Sequence, residues 1–158
     1  MKLLVTRADP AGNITLLVET PVEKAACAET ARRLMALPEL GGEQVGFLVP
    51  PRHGGEARLE MMGGEFCGNA ARSLGLLVLR GQAARRVFVE LSGCGERLAV
   101  DADPAAGLAS AEMPLPLERE TVRLLGRPFS AVLLPGIVHL LWEGAPLEQD
   151  EARRLLPE

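Results

Sequence analysis

The sequence predicts an α+β fold in which a sheet wraps around a central helix. Three observations carry this. The segment 72–80, Arg-Ser-Leu-Gly-Leu-Leu-Val-Leu-Arg, has almost no polar face, and a helix that is apolar all round belongs in a core. Short runs with strand character flank it on both sides. The final third repeats the opening order of strand, Gly-containing turn, strand and helix, a hint of an internal duplication cut short.

Composition narrows the class. A chain of 158 residues suffices for one domain, or for one domain and part of another. Hydrophobic content of 47% and charged content of 24% are those of a soluble globular protein. A net charge of −4, 3% aromatic residues and no Tyr argue against a nucleic-acid surface. Lys occurs only at Lys2 and Lys24; with so much Ala, Leu, Pro and Gly, the Arg excess reads as coding bias rather than an anion site. The first apolar run is too short for a signal peptide, and no later stretch would span a bilayer, so no membrane partner is expected. Cys27, Cys67 and Cys94 form no Cys-x-x-Cys pair. Neither a disulfide framework nor a metal site is expected from them, and a reducing cytoplasm is the expected location.

Taken in order, 3–7 and 14–19 read as strands joined by the Asp9-Pro10-Ala11-Gly12-Asn13 turn. Thr20-Pro21-Val22-Glu23 has the form of a capping box with Pro at the first helical position. The helix it opens runs to about Leu37 and is stopped by Pro38. Cys27, Ala31 and Leu34 share its apolar face, and Glu29, Arg32 and Arg33 the polar one. Strands follow at 44–49 and 57–62 around the Pro50–Gly55 loop, then the cysteine loop and the apolar helix. Further strands at 86–91 and 97–100 flank a tight Gly93-Cys94-Gly95 turn, and 109–113 alternates as another strand. Residues 114–120 read as a linker, with a short helix at 119–125 as the alternative. Strands at 130–134 and 137–142 and a helix at 148–156 complete the chain; acidic residues open that helix and Arg153 and Arg154 stand near its end.

The most informative feature is Gly63-Gly64-Glu65-Phe66-Cys67-Gly68-Asn69-Ala70-Ala71, which sets a cysteine on a Gly-flanked turn at the start of the apolar helix. A sulfur there meets the positive end of the helix dipole and unpaired backbone N–H groups, and both favour the thiolate. The same N–H groups bind a carboxylate. A lone cysteine near a helix start is more often a small core residue than a nucleophile or base. Its neighbours shift the balance, because Gly63, Gly64 and Gly68 permit close backbone approach and Asn69 caps the helix or reaches a ligand. Gly63 and Gly68 have phosphate-loop spacing, but Asn69 and Ala70 replace the required Lys and Ser/Thr. A carboxylate fits better than a nucleotide phosphate. No protease signature surrounds Cys67, and neither His53 nor His139 lies near it in sequence. His53 reads as solvated, Cys27 as packing, Cys94 as an exposed turn residue, and Glu65 as a binding or helix-end residue.

Glu65-Phe66-Cys67-Gly68-Asn69-Ala70-Ala71-Arg72 resembles the Cys-Gly-Asn-Gly-Ala-Arg signature of the diaminopimelate epimerase family of cofactor-independent amino-acid racemases and epimerases. The Gly-Gly-Glu-Phe lead-in is similar to the subgroup that includes histidine racemases. Gly12-Asn13-Ile14 resembles the family's early Gly-Asn turn, and Gly136-Ile137-Val138-His139 its Gly-Asn-Pro-His segment. The resemblance implies two pseudo-symmetric domains, each a β-barrel around a central helix, with the site between them. Residues 1–116 are then the first domain, and 117–158 a linker with the opening strands and helix of an incomplete second. It further implies a two-thiol mechanism without cofactor or metal. Cys67 is catalytic in this scheme, the N–H groups of Gly68 and Asn69 hold the substrate carboxylate, and Asn13 and His139 bind substrate.

The family's second thiol comes from the second domain, and neither Cys27 nor Cys94 stands in its place. A second domain or companion chain is therefore expected to supply it. Ile137 replaces a substrate-binding Asn, and Glu60 is the nearest polar residue to another, so diaminopimelate is not the expected substrate; histidine or another amino acid is. A phenazine-pathway isomerase, which shares the fold, would carry an acid where Cys67 stands. Two other readings are a half-domain that binds an amino acid or partner without turnover, and a pair of copies sharing one site through both Cys67 residues.

Overall fold

The computed structural model describes residues 2–134 and 136–155. The chain forms two compact units, Met1–Pro114 and Leu115–Glu158. In the first, β1 (Val5–Ala8), β2 (Thr15–Val18), β3 (Gln44–Val49), β4 (Ala57–Met61), β5 (Arg85–Leu91), β6 (Arg97–Asp103) and β7 (Leu108–Ala111) form one seven-stranded sheet in sequence order. Helix α1 (Lys24–Met35) joins β2 to β3 and α2 (Gly68–Val78) joins β4 to β5. Those are the two parallel pairs of the sheet, and only a parallel pair needs such a crossover. The architecture is α+β.

Strand alternation divides the apolar residues between two layers. Leu16 and Val18 of β2 and Val45 and Phe47 of β3 pack with Ala31 and Leu34 of α1. Leu17, between them in sequence, turns to the other face and joins Leu59, Met61, Val87, Val89, Leu91, Leu98 and Val100 around Ala70, Ala71 and Leu74 of α2. Helix α2 touches β2, β4, β5, β6 and β7, so the sheet curls around it. At Gly75 the helix lies so close to β6 that a Cβ would sit 2.5 Å from Val100 Cγ1. The enclosure is not complete. Among the described residues β1 and β7 have no strand on their outer edges, and between them lies a cavity of about 470 Å³ lined by Thr6, Arg7, Arg72, Leu76 and Leu108.

Two local expectations are corrected. Helix α1 begins at Lys24 with Glu23 at its N-cap, and no side chain caps it. The Thr20 hydroxyl instead accepts the Leu4 N–H at 2.7 Å, because the segment 20–22 stays non-helical beside the end of β1. The alternative helix at 119–125 is a strand. In the second unit β8 (Glu118–Leu124), β9 (Arg127–Leu134) and β10 (Ile137–Leu141) form an antiparallel sheet in the order β10-β9-β8. Leu125 and Gly126 both take positive φ, 50° and 75°, making the two-residue turn that suits a right-twisted hairpin. That turn and the Leu124↔Arg127 pairing fix the register of β8. The final helix, α3, spans Gln149–Arg153, and Leu156, where it was expected to end, lies outside the described residues. No described helix is long and apolar enough to cross a membrane.

Candidate active site

The cysteine loop is tied at both ends to the sheet. After β4 the chain reverses at Gly64, whose φ of 77° favours glycine, and the Gly64 N–H reaches the Met61 carbonyl at 2.9 Å. Ser92, buried just beyond β5, accepts the Met61 N–H at 2.8 Å and donates to the Glu65 carbonyl at 2.8 Å. Phe66 is buried in the core around α2. These anchors bring Cys67, in extended conformation, to the N-cap of α2, where its Sγ accepts the Ala70 N–H at 3.4 Å. Among the described residues the N–H groups of Gly68 and Asn69 donate no hydrogen bond. Gly68 stays close to the Met113 sulfur, 2.9 Å from where a Cβ would be. The sulfur is partly buried and stands beside two unengaged donors.

Around it lies a set of carboxamides. The Cys67 thiol donates to Gln44 Oε1 at 3.4 Å. Gln44 Nε2 donates to Asn13 Oδ1 at 2.6 Å and to Thr15 Oγ1 at 2.7 Å. Asn69 Nδ2 donates to the same Asn13 oxygen at 3.2 Å. Asn13 Nδ2 donates to Glu43 Oε2 at 3.2 Å, and Arg72 donates to Asn69 Oδ1. The fold thus gathers Asn13, Cys67, Gly68 and Asn69 at one place. Gln44, Glu43, Thr15 and Ser92 complete the place and were not singled out from the sequence. Gln44 opens an apolar strand without any local motif, and its partners are 23 to 31 positions away.

The other candidates of the first unit lie elsewhere in it, and His139 belongs to the second unit. His139 is exposed on β10 of the second unit. His53 is exposed in the β3–β4 loop, and its backbone N–H donates to Glu90 Oε1 at 2.7 Å. Cys94 is not an exposed turn residue: it is partly buried against the core around α2. Cys27, on α1, packs against the core that this helix forms with β2 and β3, where burial, and then Glu60, pushes its thiol pKa up. Glu60 itself pairs with Arg58 at 2.6 Å. Arg58 also reaches the fully buried Glu90, which accepts from the N–H groups of Arg52, His53 and Gly55. Burial works against the Glu90 charge, but those donors outweigh it and bring its pKa down to about 2. Glu65 carries the one buried side-chain oxygen among the described residues without a hydrogen-bond partner, with its carboxylate folded against Gly63. No described cluster of three His, Cys, Asp or Glu side chains is placed to hold a metal.

A thiol at a helix start, with free main-chain donors and convergent carboxamides in a curled α+β unit, defines a class of site whose chemistry suits an anion held beside a thiol. The chain belongs to the family described as the histidine racemase CntK N-terminal domain, which it matches over residues 2–155. It is 33% identical over 145 residues to a histidine racemase of Fusobacterium nucleatum subsp. nucleatum, covering 86% of this chain and 53% of the relative. A histidine racemase from a second strain of that organism is 30% identical over 145 residues, covering 86% and 52%. A histidine racemase of Staphylococcus aureus is 39% identical over 70 residues, covering 43% and 26%. The chain spans about half the length of the Fusobacterium relatives.

Proposed function

We propose that this chain is the first half of a cofactor-independent racemase that inverts the α-carbon of a free amino acid, with histidine as its substrate. The observation that carries this is the Cys67 sulfur beside the unengaged N–H groups of Gly68 and Asn69. The names of the relatives support the substrate. In this reading the chain has the diaminopimelate epimerase type of fold, with residues 1–116 as the first domain and 117–158 as the opening of the second. The cytoplasm suits its free thiols.

The substrate carboxylate binds the Gly68 and Asn69 N–H groups at the positive end of α2, and Asn13 orients the substrate. A thiolate on one face of the α-carbon removes its proton. The electron pair left behind spreads onto the carboxylate, where fixed donors stabilise it. A thiol on the opposite face then delivers its proton, and the two sulfurs end with exchanged protonation. Cys67 is one of the pair, and a second domain or companion chain supplies the other. His139 enters as a substrate-binding residue on its sequence resemblance alone.

The test is incubation with free amino acids in D₂O, following α-deuterium by NMR, on the chain alone and with the polypeptide that completes it. Histidine is expected to exchange, and Cys67→Ser to abolish exchange while leaving the unfolding transition in place. No exchange with any amino acid in either setting overturns the proposal. A second reading, binding without turnover, is favoured by one specific observation: of the three thiols, Cys67 is the one that hydrogen-bonds to the carboxamide cluster, while Cys27 donates to the Val22 and Glu23 carbonyls and Cys94 packs against the core. Calorimetric binding of histidine with no exchange in either setting is its signature.

A further inference from the structure

Two charged side chains end a relay of three carboxamides that leads to the Cys67 sulfur. At one end Arg72 donates to Asn69 Oδ1. At the other, Glu43 Oε2 accepts from Asn13 Nδ2 at 3.2 Å. Between them Asn69 Nδ2 and Gln44 Nε2 both donate to Asn13 Oδ1, at 3.2 and 2.6 Å. Gln44 Oε1 is then the atom that meets the thiol, at 3.4 Å.

A carboxamide presents either its oxygen or its nitrogen, so the direction of such a relay is decided at its ends. A guanidinium only donates. Asn69 must therefore turn its oxygen to Arg72 and its nitrogen to Asn13. A carboxylate only accepts, so Asn13 must turn its nitrogen to Glu43 and its oxygen inward. Both ends impose the same orientation on Asn13, and Gln44 has to meet that oxygen with its nitrogen. Thr15 Oγ1, which also accepts from Gln44 Nε2 at 2.7 Å, is a hydroxyl and tolerates either orientation. The group left facing the sulfur is an acceptor.

We infer that Arg72 and Glu43 are positioning residues for Cys67. Together they lock the relay in the one orientation that offers the sulfur a carbonyl oxygen. The inference rests on Cys67 being a proton-transfer group. A ligand that takes over the hydrogen bonds of Asn13 frees Gln44 to turn its nitrogen to the sulfur, which couples ligand binding to the group the sulfur meets.

The test is the rate of Cys67 alkylation by iodoacetamide in the full chain at neutral pH, read by peptide mass spectrometry. It is run at about 1 M salt, where the screening length is about 3 Å. Because either end alone holds Asn13, Arg72→Gln and Glu43→Gln are combined, and the double variant is expected to speed alkylation about fivefold, the equilibrium worth of one hydrogen bond. Loss of a nearby positive charge alone has the opposite sign. Arg72→Lys, still donor-only, is expected to keep the original rate. Arg72→Lys combined with Glu43→Gln keeps the donor-only end and is expected to keep the original rate, which separates the relay from loss of the Glu43 charge. A slower or unchanged rate in the folded double Gln variant, or a faster one with Arg72→Lys and Glu43→Gln, overturns the relay. Alkylation reads the sulfur and not turnover, so a failed relay (no change in alkylation) and a failed racemase proposal (no α-deuterium exchange) are told apart.

Discussion

The residue that ties the cysteine loop to the sheet is Ser92, whose single hydroxyl serves two main-chain groups. It accepts the Met61 N–H and donates to the Glu65 carbonyl, both at 2.8 Å. Ser92→Ala is expected to lower stability by about 1–3 kcal/mol, because the Met61 N–H is left buried without a partner. Urea unfolding measures this, and an unchanged midpoint would sink the account. At this scale the sequence was only partly legible. Cys67, Gly68, Asn69 and Asn13 stood out through glycine-flanked motifs, and the fold gathers them. Gln44 and Glu43 did not, because an isolated amide or carboxylate before an apolar strand has no local signature. Their meaning comes from groups the fold brings across from β2 and α2.

Elements were legible where periodicity and side-chain chemistry agree. Helix α2 was foreseen from its apolar run, and its Gly75 shows how tightly that run is enclosed. Gly75→Ala places a methyl 2.5 Å from Val100 Cγ1, and overpacking of this kind costs about 1–3 kcal/mol despite the better helix propensity of Ala. A stability gain in thermal unfolding would show that α2 and β6 are not in fixed contact. Elements were misread where a local pattern had two solutions. Thr20-Pro21-Val22-Glu23 fits a capping box, yet Thr20 spends its hydroxyl on the Leu4 N–H. The segment 119–125 has helix-forming Arg, Glu and Leu residues, but the hairpin turn at Leu125-Gly126 aligns β8 with β9 and its ladder prevails.

For the molecule as a whole, pH exposes one buried charge. Glu90 is fully buried on the face of the sheet opposite α2, and it holds the β3–β4 loop through the N–H groups of Arg52, His53 and Gly55. Its pKa is lowered from 4.5 to about 2, so its contribution is present in full above the higher value and is lost as pH falls toward the lower. Stability is therefore expected to decline from about pH 5 to about pH 2. In Glu90→Gln that acid limb should flatten, from a less stable starting point at neutral pH. Parallel acid limbs in urea midpoints would remove Glu90 from this role.

The sequence by itself determined the α+β class, the central apolar helix and the cysteine at its start. Those follow from local rules: hydrophobic periodicity, glycine punctuation and the chemistry of a helix terminus. Tertiary structure alone decided which amides surround the sulfur, which way each one points and where the sheet stays open. These are contacts between positions far apart in the chain, and hydrogen-bond direction has no expression in one dimension.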